Sequence, residues 1–239
     1  MKLPAFVLAL AAAAALTLPA ADGAAQRRAA GPAAKAPADW TRTVVATPQG
    51  GFRMGNPNAP VKVIEFLSMT CPHCAQFAAE ATPRLIQNYV RGGRVSIEYR
   101  NYVLNGYDLA AALINRCAAP ARYFELNHAL LAGQRQWMAR IDALSDAQRG
   151  ELRGLQPLQA IQRIVHLLGL DSIAARHGVA PSVQRTCLAN QAAFTRLSEM
   201  QQAASRDFGI EGTPSFVVNG RLAEHVHDWA ALEPLLSGR

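Results

Sequence analysis

The feature that most constrains the fold of this chain is an apolar, strand-like run followed closely by two cysteines. Val61–Leu67 is rich in β-branched residues and almost entirely apolar, as expected for a central strand covered on both faces. The motif Cys71-Pro72-His73-Cys74 comes next and opens a segment, 71–90, with helical periodicity. This order predicts a dithiol at the end of a strand and on the first turn of a helix, where a cysteine sulfur is acidic, exposed and reactive.

Elements on both sides of the motif predict a β-α-β unit. A short first strand is predicted over 41–45, and Gly, Asn and Pro residues predict turns over 50–60. The helix after the motif kinks or restarts at Pro83 and ends at Gly92-Gly93, and a second β-rich run covers 95–102. Two strands joined through a helix are expected to be parallel, with a right-handed crossover.

The middle of the chain, from about 108 to 208, carries almost no strand signal. Its amphipathic stretches predict helices over 109–117, 121–138, 157–168, 172–177, 181–188 and 191–208. Breaks between them are expected near Pro120, Gly169 and Gly178 and over 139–154.

The β pattern returns after Gly209. A strand is predicted over 213–218, followed by a tight Asn219-Gly220 turn, a returning strand over 221–223 and a closing helix over 229–236. The predicted fold class is therefore α/β, with an all-helical subdomain inserted into it. The α/β domain comprises 41–107 and 209–239, and the insertion comprises 108–208.

The N-terminal residues have the pattern of a secretory signal peptide. A positive start at Lys2 precedes an uncharged apolar run, 6–18, and then small residues. The run is short for a membrane span, so we predict a signal peptide over 1–24, with a retained membrane anchor as the alternative. Residues 25–40, rich in Ala, Pro, Arg and Lys, are predicted to form a flexible tether. We expect the mature chain in a disulfide-permitting compartment, the periplasm.

The net charge of the chain is +7, and its arginines are scattered along the sequence. Nucleic-acid binding requires a clustered basic patch, usually with interleaved aromatic side chains. Neither is visible, so we predict a solvated basic surface and no nucleic-acid partner.

Two cysteines separated by two residues can close a small disulfide ring at a helix start. Cys71 is expected in the N-cap region and Pro72 at the first helical position, where its missing N–H costs nothing. Free backbone N–H groups and the helix dipole then stabilise a thiolate at Cys71, and His73 adds to this when it is protonated or donates a hydrogen bond. Such effects lower a thiol pKa into a range of about 3.5–7.5 and make the disulfide a strong oxidant. Cys74, one turn deeper, is expected to be more buried and to have a higher pKa.

Other interpretations of the motif make different demands on the sequence. A haem attachment site needs His directly after the second cysteine, and position 75 is Ala. A four-ligand zinc site needs a second close pair of cysteines, which the chain lacks. His225 and His227 would face the same way on a strand, but no third metal ligand is near them in the sequence. We expect no cofactor and no metal ion, and an inert structural disulfide at 71–74 is the alternative to a redox-active one.

The motif and its surroundings together resemble a known family. Glu65 on the strand, the 71–74 motif at a helix start, a helical insertion and Gly212-Thr213-Pro214 before the last hairpin are similar to the DsbA family of exported thiol–disulfide oxidoreductases. The resemblance spans roughly 61–236. It implies a thioredoxin fold and donation of a disulfide to newly exported proteins through a mixed disulfide at Cys71. It also implies reoxidation by a quinone-linked membrane partner.

Three further residues can be compared with that family one by one, and two of them match it. Pro214 matches a cis-proline beside the dithiol, so that the Thr213 backbone presents its N–H and C=O to an extended client segment; a trans turn is the alternative. Glu65 matches a buried acid whose raised pKa lets it exchange a proton with Cys74; an edge-exposed glutamate without a role is the alternative. Thr213 departs from the valine often found in the archetypal oxidase and is more like isomerase and reductase relatives.

The remaining two cysteines are expected to pair with each other. Four cysteines allow three connectivities, and a local 71–74 disulfide leaves Cys117 with Cys187. We predict a structural disulfide in an oxidising compartment, with a regulatory disulfide as the alternative.

Three functional hypotheses follow from these residues. The leading one is an exported dithiol oxidase that transfers the Cys71–Cys74 disulfide to reduced or unfolded exported proteins. The second is a disulfide isomerase or reductase on the same scaffold, which Thr213 favours. The third is a periplasmic chaperone or binding module whose disulfide is only structural.

Overall fold

A six-stranded sheet runs through the part of the chain that the structure, a computed structural model, describes: residues 38–237. The strands are β1 Val44–Ala46, β2 Phe52–Gly55, β3 Val61–Leu67, β4 Val95–Asn101, β5 Ser215–Val218 and β6 Arg221–Leu222. Their order across the sheet is β1-β2-β4-β3-β5-β6. The pair β3-β4 is parallel, as predicted, and the other neighbouring pairs are antiparallel.

The central place of β3 follows from its apolar sequence. It pairs with β4 on one side and with β5 on the other, and its apolar side chains from Val61 to Leu67 are mostly buried. Lys62, near its start, is exposed. A strand covered on both faces needs this near-continuous apolar run, because its side chains point alternately to two covered faces.

Helices account for most of the remaining residues. The α-helices are α1 Pro72–Glu80, α2 Thr82–Leu85, α3 Gly106–Asn115, α4 Tyr123–Ala132, α5 Gln134–Asp142, α6 Asp146–Gly154, α7 Pro157–Leu167, α8 Leu170–Arg176, α9 Pro181–Leu188, α10 Gln191–Phe208 and α11 Trp229–Leu232. A π-helical turn, Ile86–Val90, follows α2, and 3-10 turns cover Trp40–Arg42, Pro120–Arg122 and Glu233–Ser237. Helices α3 to α10 lie between β4 and β5 in the chain, which confirms the predicted α/β fold with a helical insertion. No helix within 38–237 is long and apolar enough to cross a bilayer.

The predictions for the N-terminal region are only partly covered by the structure. The signal peptide predicted over 1–24, and the tether up to residue 37, lie outside the described residues. The last residue of the predicted tether, Trp40, already begins a 3-10 turn that is capped by the Asp39 side chain.

The prediction of turns over 50–60 was wrong in part, because β2 lies within it. Strand β2 pairs with β1 and with β4, so it is an integral part of the sheet. The glycines that suggested a turn instead allow close packing. A Cβ atom at Gly51 would lie 2.8 Å from the Tyr99 carbonyl oxygen, and Gly55 has a φ of +112° that favours glycine.

Two predicted helix boundaries in the insertion were also wrong. The single helix predicted over 121–138 is two helices, α4 and α5, that meet at Gly133. The break predicted over 139–154 contains α6, which begins with a capping box formed by Ser145 and Gln148. Helix α6 has no buried residue, so it lacks the apolar stripe by which a helix is recognised in a sequence.

The hydrophobic core is continuous from the sheet into the inserted helices. Leu67 on β3 and Ile97 on β4 belong to the same cluster as Leu113 on α3 and Leu126 on α4. Helix α3 is buried over most of its length, and the Asn105 side chain caps it by accepting from the N–H groups of its first turn. Asp108 in this first turn is therefore held inside the molecule, close to the end of β3.

The disulfide predicted between the two remaining cysteines is present. Cys117, just after α3, is bonded to Cys187 in α9, with 5.6 Å between their Cα atoms. The bond closes a sequence separation of 70 residues within the helical insertion. A cross-link of this span restricts the unfolded chain strongly.

Replacing both of these cysteines, as Cys117→Ala with Cys187→Ala, is expected to lower the free energy of unfolding. The chain-entropy model sets an upper value of about 4 kcal/mol for this loss. Denaturant unfolding of the double variant and of the unmodified protein measures it. If the disulfide is structural, the redox equilibrium of the 71–74 pair stays the same, whereas a shifted equilibrium would indicate the regulatory role.

Candidate active site

The two cysteines of the motif lie at the start of α1, after the short loop that follows β3. Cys71 is the N-cap residue with extended backbone angles, and Pro72 is the first helical residue, as predicted. The Cys71 carbonyl oxygen accepts the first helical hydrogen bond, from Ala75, at 3.2 Å. Both cysteines of the motif are free thiols, so the structure describes the reduced form.

Cys71 is the acidic member of the pair. A hydrogen bond from the Cys74 thiol is the largest cause that lowers the pKa of Cys71, and burial opposes it. The Thr213 side chain and the backbone N–H groups of Cys74 and His73 lower it further, to about 5. All of these donors favour the charged sulfur over the neutral one.

One detail of the prediction for this sulfur was wrong. Cys71 was expected to be exposed, but the residue is only 6% exposed. As a neutral thiol it donates to the Thr213 carbonyl oxygen at 3.2 Å, and its backbone carbonyl is covered by Gln134. The His73 ring is exposed, so its effect on the thiolate stays a prediction, whereas its backbone N–H lowers the pKa of Cys71.

Cys74 has the opposite environment. It is fully buried, and this burial is the largest cause that raises its pKa far above the ordinary value. The hydrogen bond of Cys74 to Cys71 and the charge of the Cys71 thiolate raise its pKa further, and an ionised Glu65 would add to this. The site therefore holds one sulfur as a thiolate and keeps the other protonated.

Glu65 lies in the middle of the sheet, beneath the dithiol. It is 2% exposed, and its register partners are Tyr99 on β4 and Phe216 on β5. Burial raises the pKa of Glu65 to about 8, and its Oε2 atom has no hydrogen-bond partner among the described residues. An edge-exposed glutamate is thus ruled out, and Glu65 is an acid that stays protonated at neutral pH.

The peptide bond between Thr213 and Pro214 is cis, and it lies against the dithiol. The Thr213 hydroxyl is buried and has no hydrogen-bond partner among the described residues, which leaves it available to donate to an ionised Cys71 sulfur. The Nδ1 atom of the His227 ring lies 2.9 Å from the Pro214 carbonyl oxygen.

Concave surfaces flank the dithiol on both sides of α1. A cavity of about 400 Å³ lies on the Pro214 side and is lined by His73, Phe77 and Trp229 among others. A larger groove of about 990 Å³ lies between α1 and the insertion, with Pro72, Leu131, Met138 and Ile141 in its walls. These surfaces give an extended polypeptide two places to lie beside the sulfurs.

The loop that carries Cys71 is held by polar side chains of the insertion that no sequence pattern pointed to. Asp108 accepts from the Ser68 hydroxyl at 2.6 Å and from the Met69 N–H at 2.7 Å. Gln134, at the start of α5, donates to the Met69 and Cys71 carbonyl oxygens at 2.8 and 2.9 Å. An acid in the first turn of a helix is common, so no sequence signal distinguishes Asp108 from an ordinary helix-start residue.

The two histidines considered for a metal site do not lie on a strand. His225 has a left-handed φ of 60°, in the loop after β6, and His227 contacts the Pro214 carbonyl. Within the described part of the chain, no group of three or more His, Cys, Asp or Glu side chains could hold a metal ion.

Comparison with known proteins identifies relatives of similar architecture. A thioredoxin family model matches residues 47–237. A Rickettsia bellii protein, provisionally named a protein-disulfide oxidoreductase, is 27% identical over 173 residues, which cover 72% of this chain and 58% of that protein. Its Rickettsia conorii counterpart is 27% identical over 168 residues, covering 70% and 52%. The chain thus spans little more than half the length of these curated relatives.

Solved structures of similar fold include one named as a protein-disulfide isomerase and one named as a DsbA. A protein-disulfide isomerase from Novosphingobium aromaticivorans has 34% sequence identity and a TM-score of 0.72, covering 77% of this chain and 94% of that one. Wolbachia pipientis alpha-DsbA1 has 20% identity and a TM-score of 0.59, covering 77% and 87%. At that identity the second likeness concerns the fold.

Replacing Thr213 by Val is expected to raise the pKa of Cys71. The variant keeps the size of the side chain but removes the hydroxyl that is available to donate to the thiolate, so the pKa should rise by about 0.5–1. The pH dependence of thiolate absorbance in the reduced protein measures it. Thr213→Ser, which keeps the hydroxyl, is the matched control. An unchanged pKa in Thr213→Val would show that this hydroxyl does not act on Cys71.

The raised pKa of Glu65 predicts a specific dependence of stability on pH. The folded state holds this proton up to about pH 8, whereas the unfolded chain releases it near the ordinary value of 4.5. The unfolded state therefore binds fewer protons between these values, and the free energy of unfolding falls as the pH rises through this window.

Glu65→Gln is expected to remove this pH dependence. The free energy of unfolding of the variant minus that of the unmodified protein should increase as the pH rises from about 5 to about 8, by at most about 1.4 kcal/mol per pH unit. Denaturant unfolding of both reduced proteins across this range measures it. Parallel curves for the two proteins would contradict the assignment.

Proposed function

Because the chain belongs to the thioredoxin family and is DsbA-like in fold, as the sequence resemblance indicated, we propose that it is a thiol–disulfide oxidoreductase that donates the Cys71–Cys74 disulfide to reduced, newly exported proteins. One observation carries the proposal, the opposite acidity of the two sulfurs. The pKa of Cys71 is lowered to about 5, whereas burial raises the pKa of Cys74. Only a pair with this difference has one sulfur ready to leave as an anion and one ready to keep a proton.

The first step forms a mixed disulfide. A client thiolate attacks the Cys71 sulfur of the oxidised pair, the bond between Cys71 and Cys74 breaks, and Cys74 departs with the electron pair. Cys74 is completely buried, so a negative charge on it is unfavourable, and it takes up a proton as it leaves.

The second step releases the oxidised client. A second client thiolate attacks the client sulfur of the mixed disulfide, and Cys71 leaves as a thiolate. The client has then lost two electrons and gained a disulfide, and the enzyme holds them as a Cys71 thiolate and a Cys74 thiol. The donors around Cys71 stabilise this product, so the reduced enzyme is favoured and the disulfide is a strong oxidant.

Glu65 is the proposed source of the proton that Cys74 takes up. It is buried beneath the dithiol and protonated at neutral pH, and its ionised form would raise the pKa of Cys74. An acid with a pKa of about 8 can give a proton and regain it near neutral pH. On reoxidation of the enzyme the transfer runs in reverse.

The client is proposed to lie beside Thr213 and Pro214. Main-chain hydrogen bonds to Thr213 and the cavity lined by Phe77 and Trp229 would hold an extended segment without demanding a particular sequence. Broad selectivity of this kind suits an enzyme whose clients are unfolded proteins.

We place this activity in the periplasm, after export through the N-terminal segment. The Cys117–Cys187 disulfide supports an oxidising compartment, because such bonds rarely persist among reduced cytosolic thiols. A quinone-linked membrane oxidase is the proposed reoxidant, since the reduced pair must pass two electrons onward before the next cycle.

A disulfide isomerase or reductase is the second candidate. It is favoured by Thr213 and by the name of the Novosphingobium relative, a protein-disulfide isomerase with 34% identity. The two functions differ in redox poise, because an isomerase must be held reduced whereas an oxidase must be reoxidised.

The test is to trap the mixed disulfide with a peptide that contains one cysteine. In Cys74→Ser, Cys71 is first converted to its mixed disulfide with thionitrobenzoate; the peptide thiolate then displaces thionitrobenzoate and is expected to leave a stable bond to Cys71. Cys71→Ser treated in the same way is expected to hold none, because Cys74 is buried. In the unmodified protein the oxidised pair should transfer its disulfide stoichiometrically to a reduced peptide that contains two cysteines.

The equilibrium of the 71–74 pair against glutathione separates the two candidates. A pair far more oxidising than thioredoxin, whose potential is about −270 mV, is expected for the oxidase. A potential near that of thioredoxin would favour the isomerase or reductase. Failure to transfer a disulfide, or a bond through Cys74, would contradict both.

A further inference from the structure

A buried carboxylate of the helical insertion binds the loop that presents Cys71. Asp108, 1% exposed, accepts hydrogen bonds from three donors. The Ser68 hydroxyl lies 2.6 Å away and the Met69 N–H 2.7 Å away, and the Leu104 N–H bonds to the same carboxylate at 2.8 Å. The Ser68 hydroxyl in turn accepts from the Thr70 N–H, so Asp108 is linked through Ser68 to the residue that precedes Cys71.

Gln134 holds the other side of the same loop. Its amide donates to the Met69 and Cys71 carbonyl oxygens, while Asp108 accepts from the Met69 N–H and the Ser68 hydroxyl. The loop is thus fixed from α3 through its donors and from α5 through its acceptors. Both residues belong to the insertion, which gives the insertion direct control over the position of Cys71.

A buried carboxylate is less favourable in free energy than a neutral side chain that holds the loop in the same position. A buried charge costs free energy unless hydrogen bonds compensate for lost water. Here burial outweighs the three hydrogen bonds and raises the pKa of Asp108 to about 6, yet leaves it charged at neutral pH. The cost suggests that the charge itself has a role.

The charge of Asp108 acts on the dithiol. Its carboxylate is bonded to the Met69 N–H, two residues before Cys71. Burial is the largest cause that raises the pKa of Asp108, and the charge on Cys71 adds a smaller contribution in the same direction. Such an interaction is reciprocal, so a charged Asp108 must disfavour the Cys71 thiolate to the same extent.

We propose that Asp108 is a positioning residue through which the helical insertion both fixes the Ser68–Thr70 loop and moderates the reactivity of Cys71 by placing a negative charge near it. The inference rests on the proposed exchange function. The charge of Asp108 destabilises the Cys71 thiolate, whereas the donors around Cys71 stabilise it. The oxidising power of the disulfide depends on both effects.

The test compares two substitutions that loosen the same loop but differ in charge. Asp108→Asn removes the charge, and Ser68→Ala removes the 2.6 Å hydrogen bond while the charge stays. In the reduced full-length protein, Asp108→Asn is expected to lower the pKa of Cys71 by about 0.5 or more, roughly threefold in ionisation. The equilibrium with glutathione should move towards the reduced enzyme. Ser68→Ala should leave the pKa of Cys71 nearly unchanged.

An equal shift of the Cys71 pKa in Asp108→Asn and Ser68→Ala, or no shift of this pKa in Asp108→Asn, would overturn the proposal. The reverse measurement does not depend on the folding of Asp108→Asn. The Asp108 carboxyl is titrated by NMR in the reduced protein and in Cys71→Ala, where its pKa is expected to fall; an unchanged value also overturns the proposal. Normal disulfide transfer by the unmodified protein, together with such a result, would refute this inference while leaving the proposed function standing.

Discussion

A single electrostatic fact governs this molecule: a sulfur at the start of a helix is surrounded by hydrogen-bond donors that favour its negative charge. The donors come from distant parts of the chain, since the Cys74 thiol and two backbone N–H groups belong to α1 and the Thr213 side chain precedes β5. The central sheet brings them together, because β3 leads into α1 and pairs with β5. The thioredoxin part of the fold can be understood as the framework that holds these donors around one atom.

The site also shows why the two sulfurs must differ in burial. Cys74 sits one turn into α1 and is sealed by the core, so it can leave a disulfide only by taking up a proton. Glu65, on the strand below, carries such a proton at neutral pH because it too is buried. Burial thus keeps one thiol and one carboxyl protonated, while donors make the other thiol an anion.

The local part of this arrangement could be predicted from the sequence. The placement of Cys71 and Pro72 at a helix start depends only on neighbouring residues, and so does the apolar run of β3. The contact of Asp108 with the loop could not be predicted, because it depends on how α3 packs against the residues that follow β3. The exposure of Cys71 was misjudged for the same reason, since Thr213 and the insertion cover it. Helix α6 was missed because an exposed helix carries no apolar stripe.

The ionisation of Cys71 can be followed through the rate of its alkylation as a function of pH. In the reduced protein, where Cys74 is buried and slow to react, this rate should rise with an apparent pKa of about 5 and be maximal already at neutral pH. A reactive thiol that titrates near 8.5, the value of an ordinary cysteine, would contradict it.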